Sequence, residues 1–326
     1  MVKLILILTF LITLLFNAKT PVFAIYNPLS VKNNIVGVHI LFPDEIFQAK
    51  ELINSSGGDW GYVTIPIQSY DKDLIKWQTF MDEAKQQHVI PILRLATNGD
   101  YFNTKVWDKP KYEDVVDFAN FLDSLSWPTK NRYVVIYNEV NRSDEWGGNL
   151  NPSEYADILN FAVDTFHSKN PDFFVISAGL DNAAPNQTGE FMNEFNFMRQ
   201  MNTEIPGIFD KIDGLASHSY PNPGFVQTPD SINMFSFKQE RILAKILGGK
   251  DLPVFITETG WDKDKLSDSL TASYFTDALQ DTWKDPQIVA VTPFILNASG
   301  PFSKFSLLNT QSYNAIFTFP KIQGQP

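Results

Sequence analysis

Eight short apolar runs rich in Val and Ile recur along this chain, and stretches with helical spacing separate them. Apolar runs without polar alternation are typical of strands that are buried on both faces, as in a parallel sheet. Eight strand–helix periods are what a (β/α)8 barrel requires, so the sequence predicts an α/β fold, a TIM barrel in a single domain. The predicted strands are 35–40, 62–67, 88–95, 133–137, 173–178, 212–217, 253–257 and 288–294.

Between the strands, apolar residues recur at the spacing of an amphipathic helix face. Val115, Phe118 and Leu122 follow this spacing before the fourth strand. Ser and acidic residues at 152–154 and 267–269 predict two helix starts, because side-chain oxygens there accept hydrogen bonds from the first free amides. These segments supply the helices that cover a barrel.

An open, doubly wound sheet is the alternative architecture for alternating strands and helices. The chain lacks the glycine-rich phosphate loop that follows the first strand in many such sheets, which favours the barrel. Long polar loops follow the third to sixth strands, on the face where barrel active sites are built. The segment after Asn297 is expected to be irregular, to contain little helix and to pack under the barrel.

The first 24 residues have the layout of a secretory leader. Lys3 gives a basic start, residues 4–16 are apolar, and Val22 and Ala24 fit the −3 and −1 positions of a cleavage site. The apolar stretch is short for a membrane span and suits a signal-peptide core. We predict a signal peptide at 1–24, a mature domain at 25–326 and a secreted or extracytoplasmic protein, with an uncleaved membrane anchor as the alternative. No later run is long and apolar enough to span a bilayer.

Composition excludes several partners and cofactors. The formal net charge is −11, with 26 Lys and Arg against 37 Asp and Glu. Nucleic-acid binding needs basic patches for phosphate contacts, so this balance argues against it and is compatible with a neutral oligosaccharide. There are no cysteines, which excludes disulfides and thiolate metal sites.

Two carboxylates end predicted strands, Glu139 after the fourth and Glu258 after the seventh. An ionised Glu is expensive to bury and is rarely placed at such a position for packing. Either Glu alone can cap the next helix or pair with an arginine. Two together predict a pair of carboxylates that face each other across a pocket, as glycoside hydrolysis requires.

The motifs around these residues, IYNEVN at 136–141 and FITETGW at 255–261, resemble those of clan A glycoside hydrolases. They look nearest to family 17 β-1,3-glucanases and family 53 galactanases. The resemblance implies a retaining glycosidase that cleaves O-glycosidic bonds of an oligo- or polysaccharide, with β-linkage expected, by double displacement. It implies Glu139 as acid/base and Glu258 as nucleophile. We expect no cofactor and no metal.

The same resemblance suggests substrate-binding residues. Asn138 would offer its amide to the sugar 2-hydroxyl, and Tyr220 would hold Glu258 through its phenolic hydroxyl. His218 and His39 would line the pocket, although a structural role is an equal alternative for each. Trp261 and Trp146 are the expected stacking platforms for sugar rings, with Trp60 and Trp107 as weaker candidates.

Two positions depart from the clan pattern. Many members carry an arginine near the end of the second strand, where this chain has Thr64, and Arg94 on the third strand is a substitute in space. The eighth strand often ends in a tryptophan, where this chain has Phe294 and Asn297. These departures put the substrate class in doubt more than the mechanism.

Two rival functions fit the same fold. Zinc-dependent barrel hydrolases supply several histidines, often as a pair on the first strand. This chain has four in total and only His39 there, which disfavours metal catalysis. A catalytically inactive carbohydrate-binding pseudo-glycosidase is the second rival; such proteins usually lose one carboxylate, and this chain keeps both.

Two glycosylation acceptor patterns, at Asn141 and Asn297, fall at the mouth of the predicted site. Glycans there would obstruct a glycan-binding cleft, so we expect a secretion route without such glycosylation, most simply a bacterial one. The sequence leaves open the sugar, its linkage, endo or exo action and the oligomeric state.

Overall fold

The computed structural model describes residues 25–326, so the predicted leader at 1–24 lies outside the described residues. Eight strands occur in this part of the chain, and each overlaps one predicted run. They are β1 Gly37–His39, β2 Gly61–Gln68, β3 Val89–Ala96, β4 Arg132–Val135, β5 Phe173–Ile176, β6 Leu215–Ser217, β7 Val254–Ile256 and β8 Ile288–Val291.

The strands form a closed parallel barrel. β1 to β5 pair in sequence order as one sheet, and β6 to β8 pair as another. Isolated parallel bridges join the two sheets, between Ile176 and Gly214 on one side and between Val36 and Val291 on the other. The predicted (β/α)8 barrel is confirmed. The alternative, an open sheet, is wrong because the two sheets are joined on both sides.

Helices follow the strands and cover the barrel. The helix Pro152–Lys169 (α4) begins after Asn151, whose side chain accepts hydrogen bonds from the amides of Ser153 and Glu154. The helix Asp268–Asp277 (α8) begins after the capping Ser267. Both predicted helix starts are confirmed. No helix within 25–326 combines the length and the apolarity that a bilayer crossing needs. The helices are α1 Ile46–Ile53, α2 Leu74–Gln86, α3 Tyr112–Asp123, α4 Pro152–Lys169, α5 Glu194–Glu204, α6 Ile208–Lys211, α7 Ser236–Gly248, α8 Asp268–Asp277 and α9 Gln311–Thr318.

The end of the chain corrects one expectation. The segment after Asn297 contains a 3₁₀ helix at Gly300–Phe305 and then α9, which packs against α8 and α1. Thr310 starts α9 by accepting a hydrogen bond from the amide of Tyr313. The segment therefore completes the outer ring of helices instead of lying irregularly under the barrel.

Two apolar layers make the core, one inside the barrel and one between the barrel and its helices. Inside, Ile90, Tyr133 and Phe255 belong to the filling of the N-terminal half. Polar side chains replace them towards the C-terminal ends of the strands, where His39 and Arg94 are buried. Since TIM-barrel active sites lie at this end, the change from apolar to polar filling locates the site.

A second polar feature lies on the outside of the barrel. Glu194 at the start of α5 and Glu240 on α7 are each 2% exposed and form a hydrogen-bonded carboxyl pair. Burial raises the pKa of Glu194 to about 10, and the charge of Glu240 adds to the rise. Two carboxylates cannot both ionise at such a contact, so the pair retains a proton at neutral pH.

We predict that Glu194→Gln stabilises the protein at alkaline pH. A raised folded-state pKa contributes stability that is complete below the unfolded pKa and is lost as the pH rises towards the folded value. The glutamine side chain of the variant cannot ionise. The difference in free energy of unfolding between the variant and the wild type should therefore grow between pH 5 and pH 9, to on the order of 1–2 kcal/mol. Thermal unfolding across that range measures it.

Glu204→Gln, an exposed change at the other end of α5, is the matched control and should not alter the pH dependence. A Glu194→Gln protein that is equally or less stable than the wild type at pH 9 would show that the pair does not hold its proton.

Candidate active site

The turn after β4 places Glu139 in the cleft. β4 ends at Val135, four residues earlier than the carboxylate, and the chain then turns with Tyr137 at φ 66° and Glu139 at φ 37°. Left-handed backbone is unfavourable for residues other than glycine and is concentrated at functional sites. The Glu139 amide donates to the carbonyl of Gly179 at 2.9 Å, which holds the turn.

Glu258 comes from the end of β7, two residues after Ile256. The amide of Thr257 donates to the carbonyl of Ser217 at 3.1 Å, and the Thr259 hydroxyl donates to that of Ser219 at 2.8 Å. These bonds tie the Glu258 backbone to the end of β6. The side chain of Glu258 is 10% exposed and that of Glu139 is 14% exposed.

The two carboxylates face each other with His218 beside them. One oxygen of Glu139, one oxygen of Glu258 and a ring nitrogen of His218 lie within 4.8 Å of one another. His218 Nδ1 is 3.0 Å from Glu139 Oε1 and 3.8 Å from Glu258 Oε2. The structure therefore brings the two predicted carboxylates together at the C-terminal mouth, with an imidazole that contacts both.

The pKa values of the two histidines of the site shift in opposite directions. Burial lowers the pKa of His39 well below its usual value, and the charge of Arg94 lowers it further, so His39 is neutral. Its Nε2 is 3.8 Å from Glu258 Oε1, and within the described chain neither ring nitrogen has a hydrogen-bond partner. Burial also lowers the pKa of His218, but the charges of Glu258 and Glu139 outweigh burial and raise it.

Tyr220 contacts Glu258. Its hydroxyl donates to Glu258 Oε2 at 3.1 Å. The ring packs against Phe225 and Phe305, which fixes the direction of the hydroxyl. Burial and the charge of Glu258 raise the pKa of Tyr220 well above its usual value, so it remains a donor.

Asn138 also lies in the cleft, beside Glu139. Its Oδ1 has no hydrogen-bond partner in the part of the chain that the structure describes. This oxygen is therefore free to accept a hydrogen bond from a bound molecule, and the predicted donation of the Asn138 amide to a sugar 2-hydroxyl stays a prediction.

The pKa order of the carboxyl pair is the reverse of what the predicted roles require. Burial raises the pKa of Glu258; the charge of His218 opposes this rise and that of Glu139 adds to it. Burial alone would raise the pKa of Glu139 too, but the His218 hydrogen bond and the charge of Arg142 leave it lowered. Without substrate, ionisation of Glu139 is favoured over that of Glu258.

Sequence patterns missed two charged residues in the loop after β4. Arg142 Nη1 donates to Glu139 Oε2 at 3.4 Å, and its guanidinium makes two bonds to Asp144, at 3.0 and 2.8 Å. Glu145 lines the cleft, where burial and the charge of Glu139 raise its pKa to about 8. Neither residue belongs to a strand motif, so spacing gives no signal for them.

The cleft has a cavity volume of about 250 Å³ beside the carboxylates. Loops after β1, β3, β4 and β8 form its walls, and its aromatic surface comes from Tyr101, Trp107, Phe294 and Phe302. The rings of Tyr101 and Trp107 lie 6.0 Å apart and are only partly buried. They offer the flat apolar surface that sugar rings stack on.

Trp146 and Trp261 are not stacking platforms, which corrects two predictions. They are 1% and 3% exposed and pack in the layer between barrel and helices. Trp146 Nε1 donates to Glu154 Oε2 at 3.2 Å, and Trp261 Nε1 donates to the carbonyl of Gln227 at 2.7 Å. Both rings turn away from the cleft because the helix layer offers them more apolar contact.

Trp60, a weaker stacking candidate, and Asn141, a glycosylation acceptor pattern, also lie in positions that rule out these uses. Trp60 precedes β2, at the N-terminal end of the barrel, and stacks on His88 with ring centroids 4.6 Å apart, away from the cleft. Asn141 is fully buried, and its amide donates to the carbonyls of Asp181 and Met192. It cannot accept a glycan in the folded protein. Of the two acceptor patterns, only the one at Asn297 is therefore accessible.

Within the described chain, Glu139, His218 and Glu258 form the group whose side chains also have metal-ligand chemistry. Two carboxylates and one imidazole are ligands that zinc accepts. His218 Nδ1 is however already engaged with Glu139, at hydrogen-bond distance. His218 and Glu139 are therefore close enough to share a proton through one hydrogen bond.

Comparisons with known proteins support the fold. No protein-family model matches the sequence, and no curated protein matches it. A family 39 glycoside hydrolase from the gut symbiont Bacteroides cellulosilyticus WH2 has a similar structure, with a TM-score of 0.61 and 17% identity. The match covers 91% of this chain, which spans 65% of the length of that protein.

Two further structures are similar. A GH5_18 protein from Streptomyces cattleya, in complex with GlcNAc, has a TM-score of 0.62 and 13% identity over 88% of this chain and 80% of its own. A GH128 (subgroup II) endo-β-1,3-glucanase from Sorangium cellulosum has a TM-score of 0.55 and 12% identity, over 88% and 98%. At these identities the likeness shows the barrel fold. The neighbours include clan A glycoside hydrolases of families 39, 5 and 51, and families 17 and 53 receive no specific support.

We predict that Tyr220→Phe raises the pKa of Glu258, because the hydroxyl stabilises the ionised carboxylate. The ring packing stays, so the free energy of unfolding should change by no more than about 1–2 kcal/mol. Titration of ¹³C-labelled glutamate side chains by NMR measures the pKa. Tyr313→Phe on α9 is the control, and an unchanged Glu258 pKa in Tyr220→Phe would show that the hydroxyl does not support the charge.

Proposed function

We propose that this chain is a secreted, retaining glycoside hydrolase that cleaves β-linked oligo- or polysaccharides. The observation that carries the proposal is the pair Glu139 and Glu258, with oxygens within 4.8 Å at the C-terminal mouth of the barrel. Carboxyl groups lie about 5–5.5 Å apart in retaining glycosidases and about 6.5–9.5 Å apart in inverting ones. The closer spacing supports double displacement.

In this mechanism Glu258 attacks the anomeric carbon while Glu139 protonates the leaving oxygen. The Tyr220 hydroxyl orients the Glu258 carboxylate for attack. Glu139, then ionised, takes a proton from the water that hydrolyses the glycosyl-enzyme. Asn138 lies beside Glu139, in reach of the hydroxyls of a sugar in the cleft.

His218 reconciles these roles with the pKa order of the free protein. A state with His218 protonated and Glu139 ionised holds as many protons as one with His218 neutral and Glu139 protonated. The contact of 3.0 Å between Nδ1 and Oε1 joins the two states, so the proton needs only to cross one hydrogen bond. The negative charge of Glu258 helps to hold the proton on His218. This charge disappears when Glu258 forms a covalent bond to the sugar, so the pKa of His218 then falls.

The localisation forms part of the proposal. We infer that residues 1–24 direct export and that 25–326 are the catalytic domain. A bacterial host remains the simplest source, because Asn297 is exposed and carries the remaining glycosylation pattern at the mouth of the cleft.

Trp107→Ala should weaken substrate binding, because Trp107 and not Trp146 or Trp261 lines the cleft. Loss of one aromatic stacking surface should raise KM on the preferred oligosaccharide about tenfold, with a smaller change in kcat. Trp60→Ala removes a tryptophan at the other end of the barrel and should leave KM unchanged. Equal KM values in the wild type and Trp107→Ala would remove this ring from the substrate site.

The roles of the carboxylates are tested with azide. Glu139→Ala should still attack a dinitrophenyl glycoside, whose leaving group needs no proton, and added azide should give a glycosyl azide of retained configuration. Glu258→Ala cannot form the covalent intermediate, so its turnover should fall on the order of 10⁴-fold or more. Any azide product from it should be inverted.

The opposite pattern, inverted product from Glu139→Ala and retained product from Glu258→Ala, would exchange the two roles. Full activity in both variants would remove them from catalysis. Reducing-sugar release from β-glucans, galactans, mannans and xylans tests the activity itself. Glycan binding by the wild type without any hydrolysis would instead indicate a pseudo-glycosidase.

A further inference from the structure

Arg94 is a buried cation in the cleft. It lies on β3 at the C-terminal end of the barrel, is 9% exposed and lines the cavity beside the two carboxylates. Within residues 25–326 its Nε has no hydrogen-bond partner, and no carboxylate oxygen lies close enough to its guanidinium for an ion pair. A buried charge is normally paired, because its desolvation is expensive.

Arg142, also in the cleft, is different. Its guanidinium is engaged by Asp144, by Glu139 and by Asp181, the last at 3.4 Å. The charge of Arg94 favours the ionised forms of Glu139 and Glu258. That long-range effect explains a positive charge at this position, but it leaves the N–H donors of Arg94 unused.

We propose that Arg94 binds the carboxylate of an acidic sugar, so that the substrate is a glycan containing uronic acid. A guanidinium presents a planar fork of donors that matches a carboxylate through two parallel hydrogen bonds. The inference rests on the proposed glycosidase function and names the substrate class for the same cleft.

The neighbours of Arg94 accommodate a negative group. Lys105 lines the same cavity and adds a second positive charge at its rim. The negative charge of Asp144 is already compensated, because the Arg142 guanidinium donates two hydrogen bonds to its carboxylate. The pKa of Glu145 is raised to about 8 by burial and by the charge of Glu139, so at neutral pH its carboxyl is mostly protonated and adds little negative charge to the cleft.

The acidic composition does not oppose this assignment. The net charge of −11 made a neutral glycan the simpler expectation from the sequence alone. Exposed charges more than about 8–10 Å away are largely screened at physiological ionic strength, whereas buried charges in the cleft are not. The groups that line the cleft therefore decide its preference.

The test uses matched pairs of 4-nitrophenyl glycosides that differ only at C6: β-D-glucoside with β-D-glucuronide, and β-D-galactoside with β-D-galacturonide. The wild type should prefer the acidic member of the pair that it cleaves. Arg94→Gln keeps a polar side chain and removes the charge, so the ratio of kcat/KM for acidic over neutral substrate should fall about 100-fold. Arg199→Gln, on the exposed face of α5, should leave the ratio unchanged.

Three results would overturn the proposal: a wild-type preference for the neutral member, no preference, or an equal loss on both members in Arg94→Gln. In the last case Arg94 acts only on the charges of Glu139 and Glu258. If the wild type cleaves neither pair, reducing-sugar release from the polysaccharide panel decides the glycosidase function separately, and calorimetry with 4-nitrophenyl β-D-glucuronide and β-D-glucoside tests Arg94 by itself. Salt-sensitive binding of the glucuronide alone, lost in Arg94→Gln, supports the proposal; equal or absent binding contradicts it.

Discussion

Repulsion between two carboxylates that are held close together in a mostly buried site is the constraint that organises this protein. Glu139 and Glu258 have oxygens within 4.8 Å of each other, and water has little access to either. His218 contacts both, and Arg142 contacts Glu139. The hydrogen bond from His218 and the charge of Arg142 lower the pKa of Glu139 and so stabilise a negative charge on a pair that would otherwise repel it. The reactivity that we propose derives from the same balance, because it decides where a proton resides.

The barrel allows such an unfavourable group of buried charges to form. Its closure places the ends of β4 and β7 around one mouth, so residues far apart in sequence meet without a long loop. Apolar side chains fill the lower half and carry the stability, which leaves the upper half free for buried polar groups and for the left-handed turn at Tyr137 and Glu139. Unpaired buried polar atoms of His39, Arg94 and Asn138 lie at this same end of the barrel, where a substrate would bind.

The sequence predicted what depends on regular repetition. Buried strands have a distinct composition, so the barrel followed from eight apolar runs, and the ends of the fourth and seventh strands located Glu139 and Glu258. Rotation of single side chains is decided by packing, which spacing does not encode; Trp146 and Trp261 therefore appeared to be cleft residues although their rings lie in the helix layer. Arg142 and Glu145 act through charges that only the folded loop brings together, and α9 is too short to be recognised by periodicity.

The central claim is that the pair works by double displacement, and the stereochemistry of the first product tests it most directly. Proton NMR of a hydrolysis reaction resolves the anomeric proton of the released sugar before mutarotation mixes the two forms. Our account predicts that the first-formed sugar keeps the anomeric configuration of the substrate, because two inversions at the same carbon restore it. A first-formed product of opposite configuration would show a single displacement by water and would contradict the role of Glu258 as the nucleophile.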